Sequence, residues 1–183
     1  MISNQAREGF DRLLARSLQA SIATSAESCD IEAINQLPAI EKHETVVLTV
    51  SSYLFRLMIM IHFKSDASTM DHLARMNGMQ AEDMNRQAFH DAIAEYGNLC
   101  CGILNRDLGA FFPHIGMSTP NFIGGQCIAY IEMLDCAHIQ HFEVRVDGVS
   151  IFHVSLCVSA YEQLDFVVEE NEENANTGEL ELF

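Results

Sequence analysis

A carboxylate and a carboxamide stand three residues apart in the middle of the chain, at Glu95 and Asn98. Residues three and four apart are neighbours on the surface of an α-helix, so a helix here would place the two side chains together. Asp91 would lie one turn before them and Gly102 one turn after them. The face would then present an anion beside a neutral hydrogen-bonding amide, although a polar helix face can also be merely solvated.

The residues around this pair predict an amphipathic helix over residues 84–108. Gly97 and Gly102 each cost roughly 1 kcal/mol relative to alanine inside a helix, which indicates close approach by another backbone. With a step of about 100° per residue, one broad apolar stripe is expected to be buried, consisting of Phe89, Ala92, Ile93, Tyr96, Leu99, Cys100 and Ile103.

Composition narrows the class of protein. The chain has 183 residues, of which 49% are hydrophobic, and a formal net charge of −16. This length is typical of one domain, and the charge argues against binding nucleic acid or an anionic membrane surface. No apolar run reaches the roughly 18–20 residues of a membrane span, and the first residues lack the apolar region of a signal peptide. We therefore expect a cytoplasmic protein.

The remaining elements predict an α+β domain, with helices packed on one face of a mainly antiparallel sheet. Helices are expected at residues 4–24 and 65–77, with Ser65 as the cap of the second and Gly78 at its end. Residues 26–42 read as a connection with a short helical piece. Strands are expected at residues 45–51, 54–63, 137–146 and 149–158, the last two joined by a tight turn at Asp147-Gly148. Residues 112–125 suit an edge strand.

The end of the chain differs in composition from the rest. Eight acidic residues lie between positions 162 and 181, with no lysine or arginine among them. We therefore predict a domain over residues 1–165 and an acidic, disordered tail over residues 166–183.

Other candidate sites are weaker. Cys100 and Cys101 are adjacent and point in different directions on a helix, so they cannot jointly bind one metal ion. His138 and His141 point to opposite faces of a regular strand. His90 is expected to be solvated, and Gly124-Gly125 lacks the strand, helix and lysine of a phosphate-binding loop. No metal site of the chain's own is predicted.

The segment from Glu95 to Gly102 resembles the E-x-x-N-x-x-x-G signature of the CheC/CheX/FliY chemotaxis phosphatases. A second likeness is the extended segment 117–125, which carries Pro120 and Gly125 in the place where the family has an apolar-Pro-x-x-apolar-x-Gly pattern. The bare Glu-x-x-Asn spacing recurs at Glu32/Asn35 and at Glu82/Asn85, but neither copy has the later glycine, so one site, as in CheX, is expected.

This resemblance implies a single CheX-like domain that dephosphorylates the aspartyl phosphate of a CheY-like response regulator. Asn98 would hold the attacking water, and Glu95 would pair with the active-site lysine of the regulator. Asp91 and Gly102, on the same helix face, are the candidate partner-binding residues. The Mg²⁺ would be supplied by the regulator, with no cofactor of the chain's own. The resemblance also implies a homodimer formed through a sheet edge.

Two alternatives remain open from the sequence. The first is a non-catalytic module of the same fold that docks on a response regulator or a flagellar switch component. The second is a small-molecule binder whose apolar pocket leaves no pattern in the sequence.

Overall fold

The computed structural model describes residues 1–22, 28–38 and 43–169. It contains three α-helices, seven strands and two 3₁₀ stretches within these ranges. The helices are α1 (Asn4–Ile22), α2 (Ala67–Met76) and α3 (Arg86–Leu108). The strands are β1 (Cys29–Ile34), β2 (Glu44–Ser51), β3 (Phe55–Phe63), β4 (Gly116–Met117), β5 (Asn121–Gly124), β6 (His138–Val146) and β7 (Val149–Ala160). The 3₁₀ stretches are Ala81–Asp83 and Gly125–Leu134, and the second of these is called the 3₁₀ segment below.

All seven strands form one antiparallel sheet in the order β1-β6-β7-β3-β2-β4, with β5 also paired to β2. The predicted α+β class is confirmed. The two expected hairpins are also present, as β2 with β3 and β6 with β7. In the second hairpin, Asp147 and Gly148 have φ angles of 49° and 77°. A two-residue turn with both φ angles positive matches the twist of the strands it joins, which explains the Asp-Gly sequence.

Helices α1 and α3 pack on one face of the sheet and enclose the main core. The strands supply this core with alternate residues, because successive side chains point to opposite faces of a sheet. Gly9 on α1 allows the C-terminal segment to pack closely, since a Cβ there would lie 2.8 Å from the Phe166 ring. Fully or almost fully buried members include Phe10, Leu14, Leu48, Phe55, Leu57, Ile59, Phe89, Leu104, Phe152, Val154 and Leu156.

The opposite face of the sheet is covered by the 3₁₀ segment. Ile131 of that segment is buried together with Met60 of β3 and Cys157 of β7. A chain of buried polar groups lies on the same face: His62 bonds Thr45 Oγ1 at 3.0 Å and Ser155 Oγ at 2.9 Å. Burial, followed by the neighbouring histidines, lowers the pKa of His62 to about 3, so the ring is neutral in the folded protein.

Two predicted elements differ from the structure. Residues 29–34, placed in a connection with a helical piece, form β1 and pair with β6. Cys29, Ile31 and Ala33 alternate with acidic residues there, which is the period of a strand. The helix predicted over residues 84–108 begins at Arg86, because Asn85 caps α3 by accepting a hydrogen bond from the Ala88 amide at 3.0 Å. The turn Ala81–Asp83 is separate from α3.

Smaller corrections concern helix ends and the domain boundary. Asp66, not Ser65, caps α2, and Gly78 follows its end with a φ of 64°. The packed domain continues beyond residue 165, because Phe166 and Val168 are buried against the core. The rest of the predicted tail, residues 170–183, lies outside the described residues, as do residues 23–27 and 39–42.

Within the described ranges, no helix is long and apolar enough to cross a membrane. The same ranges contain no group of three or more histidine, cysteine or acidic side chains that could hold a metal ion. His138 and His141 lie on opposite faces as expected: His138 bonds Asp11 of α1 at 2.7 Å, whereas His141 bonds Ser155 at 2.9 Å.

Candidate functional site

Glu95 and Asn98 lie together on the outer face of α3, as the spacing predicts. Glu95 is exposed and Asn98 is half-buried. Neither side chain has a hydrogen bond or ion pair with any residue in the described part of the chain. Both polar groups are therefore available to a partner. We call the face formed by Asp91, Glu95, Asn98, Leu99 and Gly102 the platform.

The two neighbours of this pair, Asp91 and Gly102, differ in their contacts with the rest of the protein. Asp91, one turn before Glu95, is exposed and accepts a hydrogen bond from Gln87 at 2.8 Å. Gly102, one turn after Asn98, is half-buried, yet no atom lies within 4 Å of the position a Cβ would occupy. The surface at Gly102 is therefore open, and the glycine is not required by packing among the described residues.

The buried side of α3 differs from the predicted stripe. Leu99 is 47% exposed and Ile103 is half-buried. Gly97, Cys101 and Leu104 are buried in their place. The predicted stripe is wrong on one side because it follows the larger apolar residues and leaves out Gly97, Cys101 and Leu104. A stripe centred on Gly97, Cys101 and Leu104 fits the helical period equally well. Small residues on a helix indicate its contact with a sheet, because the helix can approach the sheet most closely where its side chains are small.

Gly97 is the point of closest approach between α3 and the sheet. A Cβ at Gly97 would lie 2.7 Å from Leu48 Cδ1 on β2, which is closer than two carbon atoms can approach without displacement. The predicted approach of another backbone is therefore wrong: the close neighbour at Gly97 is the buried side chain of Leu48, and Gly102 has none within 4 Å among the described residues. This contact fixes the distance of the platform from the sheet.

The first half of α3 is anchored at the edge of the sheet. The His90 ring stacks on Phe122 of β5, with ring centroids 4.7 Å apart, and His90 Nε2 lies 3.0 Å from Glu44 Oε2 on β2. Arg86 Nη2 approaches the same carboxylate oxygen at 3.6 Å. The expectation of a solvated His90 is therefore wrong, because β5 covers that side of the helix.

Two further contacts set the rotation of α3. Tyr96 donates a hydrogen bond from its hydroxyl to Met76 Sδ of α2 at 2.8 Å. Cys100 is buried against α1, where Ser21 contacts its thiol. A site held by packed helices and strands keeps its geometry better than a site on a loop. The platform is thus fixed from the sheet, from α2 and from α1.

The two cysteines beneath the platform, Cys100 and Cys101, are unreactive thiols. Burial raises the pKa of Cys101 to about 12 and raises the pKa of Cys100 well above its usual value. The thiolate is the nucleophilic and metal-binding form, so both residues act as small apolar side chains at neutral pH. The polar chemistry of this part of α3 is limited to the platform.

The platform lies outside three cavities of the described structure, whose volumes are about 670, 590 and 230 Å³, since neither Glu95 nor Asn98 lines any of these three. The first of them lies near the start of α3, where Lys64, Met70 and Arg86 line it. Small-molecule sites are concave, so an exposed helix face suits a macromolecule that brings its own cleft.

Comparison with known proteins is informative at the level of the fold. No protein-family model matches the sequence, and no curated protein matches it. Solved structures do match. The chemotaxis protein CheX from Vibrio vulnificus aligns with a TM-score of 0.62 at 15% identity, covering 82% of this chain and 99% of that one.

Two further structures agree with this match. CheX from Borrelia burgdorferi, solved in a CheX-CheY-BeF3-Mg²⁺ complex, aligns with a TM-score of 0.60 at 15% identity over 83% of this chain and 96% of that one. A CheC-like superfamily protein from Shewanella sp. PV-4 aligns with a TM-score of 0.57 at 12% identity over 82% of this chain and 97% of that one. At these identities the likeness establishes the fold.

Proposed function

This chain has the fold of the CheX and CheC-like chemotaxis proteins, and we propose that it binds a CheY-type response regulator and hydrolyses the aspartyl phosphate of that regulator. The observation that carries this proposal is the pair Glu95 and Asn98. Both side chains lie on the exposed face of a rigidly held helix, without a hydrogen-bond partner among the described residues. The solved complex of a CheX with a CheY supports the choice of partner.

In this proposal Asn98 positions the water that attacks phosphorus. A carboxamide both donates and accepts hydrogen bonds, so it can orient a water molecule in line with the phosphorus–oxygen bond that breaks. The water oxygen bonds to phosphorus while the phosphorus–oxygen bond to the regulator's aspartate breaks, the electron pair stays on the aspartate carboxylate, and a proton of the water passes to a phosphoryl oxygen of the released phosphate. Phosphoryl transfer depends mainly on positioning and charge stabilisation, which an amide provides without a shifted pKa.

Glu95 has a docking role in the same proposal. Its carboxylate lies one turn from Asn98 and carries no partner within the described part of the chain. A lysine in the active site of the regulator would form a charge-assisted hydrogen bond with it, which fixes the orientation of Asn98 relative to the phosphate. Asp91 adds a second negative charge one turn away.

Gly102 and the metal complete the arrangement. The open space at Gly102 allows the backbone of the regulator to approach α3 next to Asn98. The Mg²⁺ that neutralises the phosphoryl oxygens would belong to the regulator. Accordingly, this chain contributes positioning groups and takes its metal and its phosphate from the partner.

A homodimer through a sheet edge is a further part of the proposal. Strand β1 pairs with β6 on one side, and no described strand pairs with its other side. An unpaired edge is a template for a strand of another chain. Sedimentation of the full chain tests this: Ile31→Pro, which removes a backbone donor from β1, should shift a dimer towards monomer, and a monomeric wild type would contradict it.

The test of catalysis is the lifetime of phosphate on CheY-type receiver domains. The full chain should shorten this lifetime, and Asn98→Ala should reduce the acceleration by roughly 100-fold or more, because a misplaced water loses the benefit of orientation. Asn35→Ala is the matched control, since Asn35 is an exposed amide three residues after a glutamate but lies next to β1. Equal acceleration by wild type and Asn98→Ala would contradict the mechanism.

The non-catalytic alternative gives a different result in the same experiment. A complex would form with a receiver domain, while the phosphate lifetime would be the same with and without this chain. That outcome would retain the docking surface and remove the hydrolysis from the proposal.

A further inference from the structure

The platform contains an apolar side chain that neither the fold nor the proposed hydrolysis uses. Leu99 is 47% exposed, although it sits in the middle of a helix whose buried side is filled by other residues. Leu99 follows Glu95 by four residues, so the two side chains are neighbours along the helix. On the helical circle, Leu99 lies on the side of Glu95 away from Asn98.

Other apolar surface lies near the platform. Half-buried Ile103 follows Leu99 by four residues and continues the ridge along α3. On the other side, strand β4 lies against α3 and carries Met117, which is 39% exposed. Met117 pairs with buried Val50 of β2 and therefore points to the helix side of the sheet. The charged and amide groups of the platform are thus flanked by apolar groups.

We propose that Leu99 is an apolar docking residue for the response regulator, packing against an apolar side chain beside the regulator's active-site lysine. This inference rests on the proposed function. The choice of partner follows from the charge on this helix face. Asp91 and Glu95 carry negative charge there, so a protein that docks on the platform must present a cation. A contact of Leu99 with that partner lies one helical turn from the ion pair of Glu95.

The two docking contacts have different physical signatures. The ion pair of Glu95 is screened by salt, whereas burial of Leu99 is a hydrophobic contact that moderate salt does not weaken. Contact at Leu99 is the same in the bound state and in the transition state. It therefore lowers KM and leaves kcat unchanged, in contrast to Asn98, which acts on kcat.

The experiment measures binding of the full chain to a CheY-type receiver domain held with BeF3 and Mg²⁺, at low and at high ionic strength. Leu99→Gln should weaken binding roughly three- to tenfold at both salt concentrations, as expected for burial of about half a leucine side chain. Glu95→Gln should weaken binding at low salt and converge on wild type at high salt. Glutamine is a good helix former, so Leu99→Gln retains the fold.

Met133→Gln is the matched control, because Met133 is 76% exposed on the 3₁₀ segment, on the opposite face of the sheet. Its affinity should stay within about twofold of wild type. Binding of Leu99→Gln equal to wild type overturns the inference and leaves the proposed function standing. A wild-type chain that binds none of the receiver domains tested overturns both.

Discussion

Gly97 and Gly102 lie five positions apart on α3, and their surroundings are opposite. At Gly97 a Cβ would press into Leu48 at 2.7 Å, whereas at Gly102 nothing in the described structure lies within 4 Å. The first glycine serves the fold, because it lets α3 approach the sheet. The second costs helix stability without serving any contact in the described structure. One helix therefore has a packed side determined by stability and an exposed side available for a partner.

The largest expected effect on stability comes from a substitution on the packed side of α3. Leu104 is fully buried on α3, and Leu104→Ala should lower the free energy of unfolding by about 2–5 kcal/mol, because it removes core contacts and leaves a cavity. Urea denaturation measures this change. Glu95→Gln, on the exposed side, should change stability by less than about 0.5 kcal/mol. Similar losses for the two variants would contradict the division.

Acid stability should depend on the far face of the sheet and not on the platform. The pKa of His62 is about 3 in the folded protein and 6.5 in the unfolded chain. The unfolded chain therefore binds the extra proton first, and the stability due to neutral His62 is complete above pH 6.5 and is lost as the pH falls towards 3. Between pH 6.5 and 5 the loss should be about 2 kcal/mol.

Denaturation at several pH values measures this dependence. In His62→Gln the slope between pH 6.5 and 5 should be shallower than in wild type. His114→Asn is the control, because His114 is exposed and has a left-handed φ of 58°, which asparagine tolerates. A slope that persists in His62→Gln would assign the acid sensitivity to other groups.

The two glycines themselves should respond with opposite signs to the same substitution. Gly97→Ala should lower the free energy of unfolding by about 1 kcal/mol, because crowding against Leu48 outweighs the gain in helix propensity. Gly102→Ala should raise it by roughly 1 kcal/mol and weaken binding of a receiver domain by filling the open space. Thermal or urea denaturation measures whether each variant is more or less stable than wild type. A stabilised Gly102→Ala that binds as tightly as wild type would remove Gly102 from the docking surface.

The smallest expected effect concerns Asp91. Its carboxylate is exposed and already accepts a hydrogen bond from Gln87, and a long-range charge at the edge of an interface is worth little. Asp91→Asn should weaken receiver binding by less than about threefold, and only at low ionic strength. A loss as large as that of Glu95→Gln would give Asp91 a direct contact with the regulator.

Much of the fold could be predicted from local patterns. The β2–β3 and β6–β7 hairpins, the edge-strand character of residues 112–125 and the existence of α1–α3 all follow from periodicity and turn residues over short stretches. Strand β1 carries the alternation of a strand over six residues only, and its partner, β6, lies more than a hundred residues away in the chain, so local pattern does not place it in the sheet. The 3₁₀ segment has no local signature, because its one buried residue, Ile131, packs on the second face of the sheet.

The candidate site divides in the same way. The spacing of Glu95, Asn98, Asp91 and Gly102 alone sets them on one helix face, because the helical period is a property of the backbone. The environment of His90 could not be read from α3, since the group that covers it, Phe122, belongs to β5. Leu99 was expected to be buried for its hydrophobicity, and only the contacts of its helix decide otherwise.

By itself the sequence determined which polar side chains share a face of α3, and by resemblance it indicated the partner and the reaction that we propose. Only the tertiary structure decided how that helix is turned. Small residues at Gly97, Cys100 and Cys101 let α3 settle against β2 and α1, and this contact sets the rotation of the whole helix. A helix must bury the side that packs closest to its neighbours, even when a leucine is left in solvent.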